Sequence, residues 1–201
     1  IFNLAVLLAS QNRTNEAIPL YELVLEVLPD DPDTLSNMGN AYTNTGQLEQ
    51  AMDCYQRAIE GNPLLSAAHI NLGNLFFQQG HTDQAIERYH EAISIDPSAA
   101  NAHNNLGTIL LAAGRRDEAK ASYQAALKYD ADNPETLKNY GNILLSFGEI
   151  EDAADIMRQV VAIAPNWAPA QADLGLTLMR LDDFVPAREA LERAVALEPT
   201  F

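Results

Sequence analysis

The sequence predicts an all-α fold, a solenoid of antiparallel helix pairs. Three observations carry this. Gly39, Gly73, Gly107, Gly141 and Gly175 fall 34 residues apart, as do Ala17, Ala51, Ala85, Ala119, Ala153 and Ala187. Apolar residues within each period recur at helical spacing on two segments separated by a turn. Proline closes most periods, at Pro29, Pro63, Pro97, Pro165 and Pro199, with Ala131 in the remaining place.

Taken in order, residues 1–31 form a truncated repeat, followed by full repeats at 32–65, 66–99, 100–133, 134–167 and 168–201. Together they read as one solenoid and as a fragment of a longer protein. Ile1 to Ala9 is apolar, but it lacks the starting Met, basic flank and cleavage-like site of a signal peptide. Leu4, Ala5 and Leu8 fit the repeat register, so the segment reads as structure. Pro19 lies deep enough in its helix to predict a late start or a bend.

Residues 66–99 show the unit most clearly. His69, Leu72, Gly73 and Phe76 lie on one face of a first helix. Gly80 breaks the pattern, and Thr82 or Asp83 is expected to cap a second helix, whose face carries Ala85, Tyr89, Ala92 and Ile93. Pro97 ends that helix, because proline cannot continue the hydrogen-bond ladder. Gly73 and Ala85 mark close helix approach, and Leu72 and Tyr89 fill the wider gaps. In the fourth repeat Ala131 replaces the closing proline, and Pro134 takes over the punctuation. In the last, Asp182 stands where the others carry Gly or Asn, which predicts a turn of different shape. Nothing follows to cover Ala187, Ala190, Leu191, Ala194 and Val195, so the ends are expected either to continue into further chain or to stack on other copies.

Leu72-Gly73, Phe76, Gly80, Ala85, Tyr89, Ala92 and Pro97 stand at a spacing that resembles the tetratricopeptide repeat family, over the whole chain and without insertions. The resemblance implies a right-handed superhelix in which the first helix of each pair lines a concave groove, and a groove that holds peptide.

The first helices carry the candidate site. Opposite their packing face they present Asn37, Asn40 and Asn44, then Asn71, Asn74 and Gln78, then Asn101, Asn104 and Asn105, then Asn139 and Asn142; Asn3 opens the series and Asp173 ends it. A carboxamide offers both donors and an acceptor, so a row of them can pair with the backbone of an extended peptide. The same amides can instead bond locally and stabilise the stack. Phe77, Leu111, Leu145 and Met179 lie beside the ladder as apolar contacts. The series Asn37, Asn71, Asn105 and Asn139 also resembles the tetratricopeptide superhelix of O-linked N-acetylglucosamine transferases. Lys138 and Asn142 match part of a carboxylate clamp used within the repeat family, but Asp173 stands where that clamp needs Asn and would repel an anion. Lys138 is expected instead to pair with Glu135.

The expected function is therefore a protein-interaction scaffold that binds an extended peptide. The alternatives are a non-catalytic, substrate-recruiting arm of a larger enzyme such as a glycosyltransferase, and a scaffold that self-assembles end to end. The net charge of −16 disfavours nucleic acid and anionic membranes and favours a neutral or basic partner. No phosphate-binding, dinucleotide or nucleophile-elbow motif occurs, so no catalysis and no cofactor are expected within the segment. His69 and His103 occupy equivalent places and are read as packing side chains rather than as a metal site. Cys54, the single cysteine, is read as a buried, inert thiol. No localisation signal is encoded; the cytoplasm is the default expectation.

Overall fold

The computed structural model describes residues 1–199. Among them are twelve α-helices and no strand: α1 (Phe2–Ser10), α2 (Thr14–Val27), α3 (Pro32–Asn44), α4 (Leu48–Gly61), α5 (Ser66–Gln78), α6 (Thr82–Ile95), α7 (Ala100–Ala112), α8 (Arg116–Tyr129), α9 (Pro134–Phe147), α10 (Ile150–Ile163), α11 (Ala168–Arg180) and α12 (Phe184–Leu197). None of them is long and apolar enough to cross a membrane. The chain divides into two compact units, one spanning Ile1–Ala102 and the other beginning at His103. In the first, α1 packs on α2, α3 on α4 and α5 on α6, and each hairpin leans on the next through α2 with α3 and α4 with α5. In the second, α9 packs on α10 and α11 on α12, with α8 against α9 and α10 against α11.

One turn geometry makes the hairpins. Gly46, Gly80, Gly114 and Gly148 have φ between +76° and +79°, the left-handed conformation that glycine adopts without penalty. The N–H three places beyond the helix end then closes back on it: Gln47 N donates to Tyr42 O at 2.9 Å and His81 N to Phe76 O at 2.8 Å. Asn12 (φ 62°) and Asp182 (φ 57°) hold the same conformation at the two ends of the series. The last turn therefore keeps the shape of the others, contrary to expectation, because a short polar side chain tolerates that region. The turn also fixes where the second helix begins. His81, not Thr82 or Asp83, is the N-cap of α6, and its side chain makes no capping bond. The side-chain caps sit instead at Asp31 and Asn133, each followed by Pro at the first helical position. Asp31 accepts from Thr34 N at 2.9 Å and Asn133 from Thr136 N at 3.0 Å. Helix α2 starts at Thr14 and runs through Pro19, so the late start is not realised.

The packing has no single centre. Ala5, Leu8, Ala17, Tyr21, Leu35, Met38, Ala41, Cys54, Ala58 and Ala68 form one continuous cluster across successive hairpins of the first unit. In the second unit Ala154, Met157, Leu174, Leu178, Ala187 and Ala190 form another. Ala187, Ala190 and also Ala194 are buried, the first two in this cluster with residues of α10 and α11; Val195, at 51 %, is exposed as expected.

The periodic glycines answer to one contact. A Cβ on Gly39 would lie 2.6 Å from Tyr55 Cε1, on Gly73 2.9 Å from Tyr89 Cε1, and on Gly107 2.8 Å from Tyr123 Cδ1. Each ring lies against the glycine of the facing helix sixteen residues earlier. The rings at Tyr21, Tyr55, Tyr89 and Tyr123 are fully buried. At Gly141 the partner is the end of Met157, with Cε 2.7 Å from the built Cβ, and at Gly175 it is Leu191 Cγ at 2.6 Å.

Candidate functional site: an amide network on the first helices

In the first unit α3 also touches α5 directly, which brings the amides of neighbouring repeats within bonding distance. Asn71 Nδ2 donates to Asn40 Oδ1 at 2.8 Å. The same Oδ1 accepts from the Tyr55 hydroxyl at 2.7 Å. In the next repeat the Tyr89 hydroxyl donates to Asn74 Oδ1, again at 2.7 Å. Asn40, Asn44, Asn71, Asn74 and Gln78, all expected groove residues, line one hollow of about 400 Å3 together with Thr43, Tyr55 and Leu75. Asn37 turns back on its own helix and donates to Asp33 O at 2.8 Å. Phe77, at 36 %, is exposed.

In the second unit Asn139 Nδ2 donates to Asn104 Oδ1 at 3.2 Å, and Asn104 Nδ2 to Asn105 Oδ1 at 3.4 Å. Asn142 is half-buried, as are Leu111 and Leu145, while Met179 at 47 % is exposed. Lys138 does not pair with Glu135. Its Nζ lies 3.4 Å from Asp173 Oδ2 and over the Trp167 ring, 5.7 Å from the centroid. The acid that ends the ladder thus holds the one cation on it. A helix-surface pair with Glu135 would be exposed to water, whereas Lys138 and Asp173 are both about three-quarters covered and attract more strongly.

Sequence reasoning missed the tyrosine hydroxyls. The signal was present: Asn40 to Tyr55 and Asn74 to Tyr89 are both fifteen residues apart. Thr108 takes the next place and meets the Tyr123 hydroxyl at 3.2 Å. Burial pushes the Tyr55 phenol up to about 12 and raises Tyr89 and Tyr123 as well, so each remains a neutral donor.

The histidines are placed for packing. His69 is buried with Nε2 3.1 Å from Pro63 O, and His103 stacks on Tyr129 at 5.9 Å. Among the described residues no group of three or more His, Cys, Asp or Glu gathers to hold a metal. Burial raises the Cys54 thiol to about 11, which disfavours the reactive thiolate.

Family models described as tetratricopeptide or TPR repeat match residues 1–33, 39–80, 73–114 and 110–174. No curated protein sequence matches. Among solved structures, pilF of Pseudomonas aeruginosa superposes with a TM-score of 0.92 at 17% identity, covering 100% of this chain and 91% of that one. YrrB, described as a TPR protein with an unusual peptide-binding site, gives 0.71 at 21% identity over 89% of this chain and 92% of its own. MamA gives 0.72 at 20% identity, over 81% and 95%.

Proposed function

The chain belongs to the tetratricopeptide repeat family of protein-interaction scaffolds, and on that premise we propose that it binds an extended, uncharged stretch of a partner protein along the amides of its first helices. The observation that carries this reading is the hollow between α3 and α5, where five carboxamides converge. Among the described residues Asn40 Nδ2 and Asn71 Oδ1 have no partner within the protein, so the hollow offers a donor beside an acceptor. A main-chain amide presents the complementary pair. Despite the net charge of −16, helices α5 and α7 contain no Asp, Glu, Lys or Arg. Their surface therefore selects for hydrogen-bonding capacity rather than charge. One neutral hydrogen bond nets about 0.5–1.5 kcal/mol, so micromolar binding, about −8 kcal/mol, needs several rungs plus apolar contacts. Exposed Phe77 and Met179 supply candidates for the latter. YrrB, similar in fold, carries a peptide-binding site.

The test is selection of peptides from a displayed random library, followed by calorimetry. The triple variant Asn71→Ala, Asn105→Ala, Asn139→Ala is expected to bind the selected peptide at least about tenfold more weakly. Unchanged affinity with an unchanged circular dichroism spectrum overturns the reading.

A second reading, self-association, is favoured by the apolar hollow of about 490 Å3 lined by Met179, Phe184, Leu191 and Val195, beside exposed Val185. A monomer mass throughout a concentration series in analytical ultracentrifugation rules it out.

A further inference from the structure

The hydroxyl of Tyr55 makes a contact that neither the fold nor the binding reading requires. The ring alone explains Gly39, and a phenylalanine would pack there equally well. Yet the oxygen reaches the edge of the α3–α5 hollow and bonds to Asn40 Oδ1 at 2.7 Å. The Thr43 hydroxyl donates to Gly39 O at 3.0 Å, which leaves its oxygen, 3.2 Å from Tyr55 Oη, able only to accept. The Tyr55 hydroxyl gives its proton to Asn40 Oδ1, the shorter of its two contacts. Asn71 Nδ2 donates to the same Asn40 oxygen at 2.8 Å. With both donors on Oδ1, the Nδ2 of Asn40 is left without a partner among the described residues.

We propose that Tyr55 is a positioning residue for peptide recognition: its hydroxyl locks the Asn40 carboxamide so that Nδ2 is presented to the hollow and donates to a main-chain carbonyl of the bound segment. The proposal rests on the binding reading above and adds the polarity of one rung. It also accounts for a pattern along the chain. The tyrosines fifteen residues after the Asn at 40 and 74 bond to those amides, whereas the residue fifteen after Asn142 is Met157, which has no hydroxyl. Tyr21 precedes them in the series; the place fifteen residues before it is Val6, which carries no amide, and among the described residues its hydroxyl makes no side-chain hydrogen bond.

The experiment compares Tyr55→Phe, Asn40→Ala, the double variant and the control Tyr21→Phe, using the tightest peptide from the displayed library. Two readouts are taken. Side-chain amide resonances of Asn40, assigned by their loss in Asn40→Asp, are recorded without peptide; affinity is then measured by calorimetry. Tyr55→Phe is expected to shift the Asn40 amide pair and to weaken binding about three- to tenfold. Adding Asn40→Ala is expected to cost little more, because the two act as one unit. Tyr21→Phe is expected to bind as the parent does. An unmoved Asn40 resonance in Tyr55→Phe overturns the positioning role. So does parental affinity in Tyr55→Phe when Asn40→Ala alone weakens binding, and in that case the binding reading stands. If Asn40→Ala itself binds as the parent does, the rung is not used, and the proposal fails together with its premise at this repeat.

Discussion

Alanine at the periodic glycines should cost stability according to the stiffness of the partner, not according to the position in the repeat. At Gly39 the new Cβ would sit 2.6, 2.8 and 3.0 Å from three atoms of the Tyr55 ring. Carbon atoms in contact prefer about 3.5–4.0 Å. The ring is 2 % exposed, and its hydroxyl is bonded to Asn40, so it cannot swing away. Overpacking costs about 1–3 kcal/mol, and a ring that cannot yield puts Gly39 in the upper part of that range, about 2–3 kcal/mol. Replacing a mid-helix glycine by alanine returns about 1 kcal/mol of helix propensity. The net for Gly39→Ala is a loss of about 1–2 kcal/mol. At Gly141 the nearest atom is the terminal methyl of Met157, at 2.7 Å, which three rotatable bonds can move. Overpacking there is largely relieved, and Gly141→Ala should fall within about 0.5 kcal/mol of the parent, on either side. Urea unfolding followed by circular dichroism reads the difference. With a slope of about 2 kcal/mol/M, Gly39→Ala should lower its midpoint by about 0.5–1 M. A Gly39→Ala protein as stable as the parent or more so would refute the ring-on-backbone account and leave only propensity.

Three further outcomes follow. Asp31→Ala removes the acceptor for Thr34 N and the Thr34 hydroxyl and should destabilise by about 1 kcal/mol in the same urea assay, whereas Thr82→Ala, at a residue that does not cap, should change little. The buried phenol of Tyr55 binds its proton more tightly in the folded chain than in the unfolded one. Stability should therefore be full below pH about 10 and fall as pH climbs towards about 12, by about 1.4 kcal/mol for each unit between the two pKa values, and Tyr55→Phe should flatten that fall. Cys54, buried and with its thiol raised to about 11, should resist a thiol reagent at neutral pH and react at once in urea; rapid native reaction would contradict its burial.

Much of the fold was legible because each repeat meets only its neighbours, so local pattern and tertiary contact share one period. The helix starts at Pro32, Ser66, Ala100, Pro134 and Ala168 keep the 34-residue step. Proline proved a marker rather than a cause. Helix α8, which has Ala131 in the proline's place, ends at Tyr129, the position equivalent to Ile95 in α6. The Asp182 turn was misjudged because composition was weighed above backbone geometry, and the turn conformation is shared by Asn, Gly and Asp alike.

The candidate site was legible only in part. Its residue types and their face came from spacing along one helix. Their partners lie on other helices: Asn71 reaches Asn40, Asn139 reaches Asn104, and Lys138 reaches Asp173. These bonds depend on how neighbouring first helices approach, which no window of one helix contains.

The sequence by itself therefore determined the repeat, its two helices, its turns and the face on which the amides lie, since helical periodicity and punctuation are local properties. Only the tertiary structure decided why glycine recurs, because the answer is a ring sixteen residues away. It alone decided which amides bond to each other, because those partners are set by how neighbouring first helices approach.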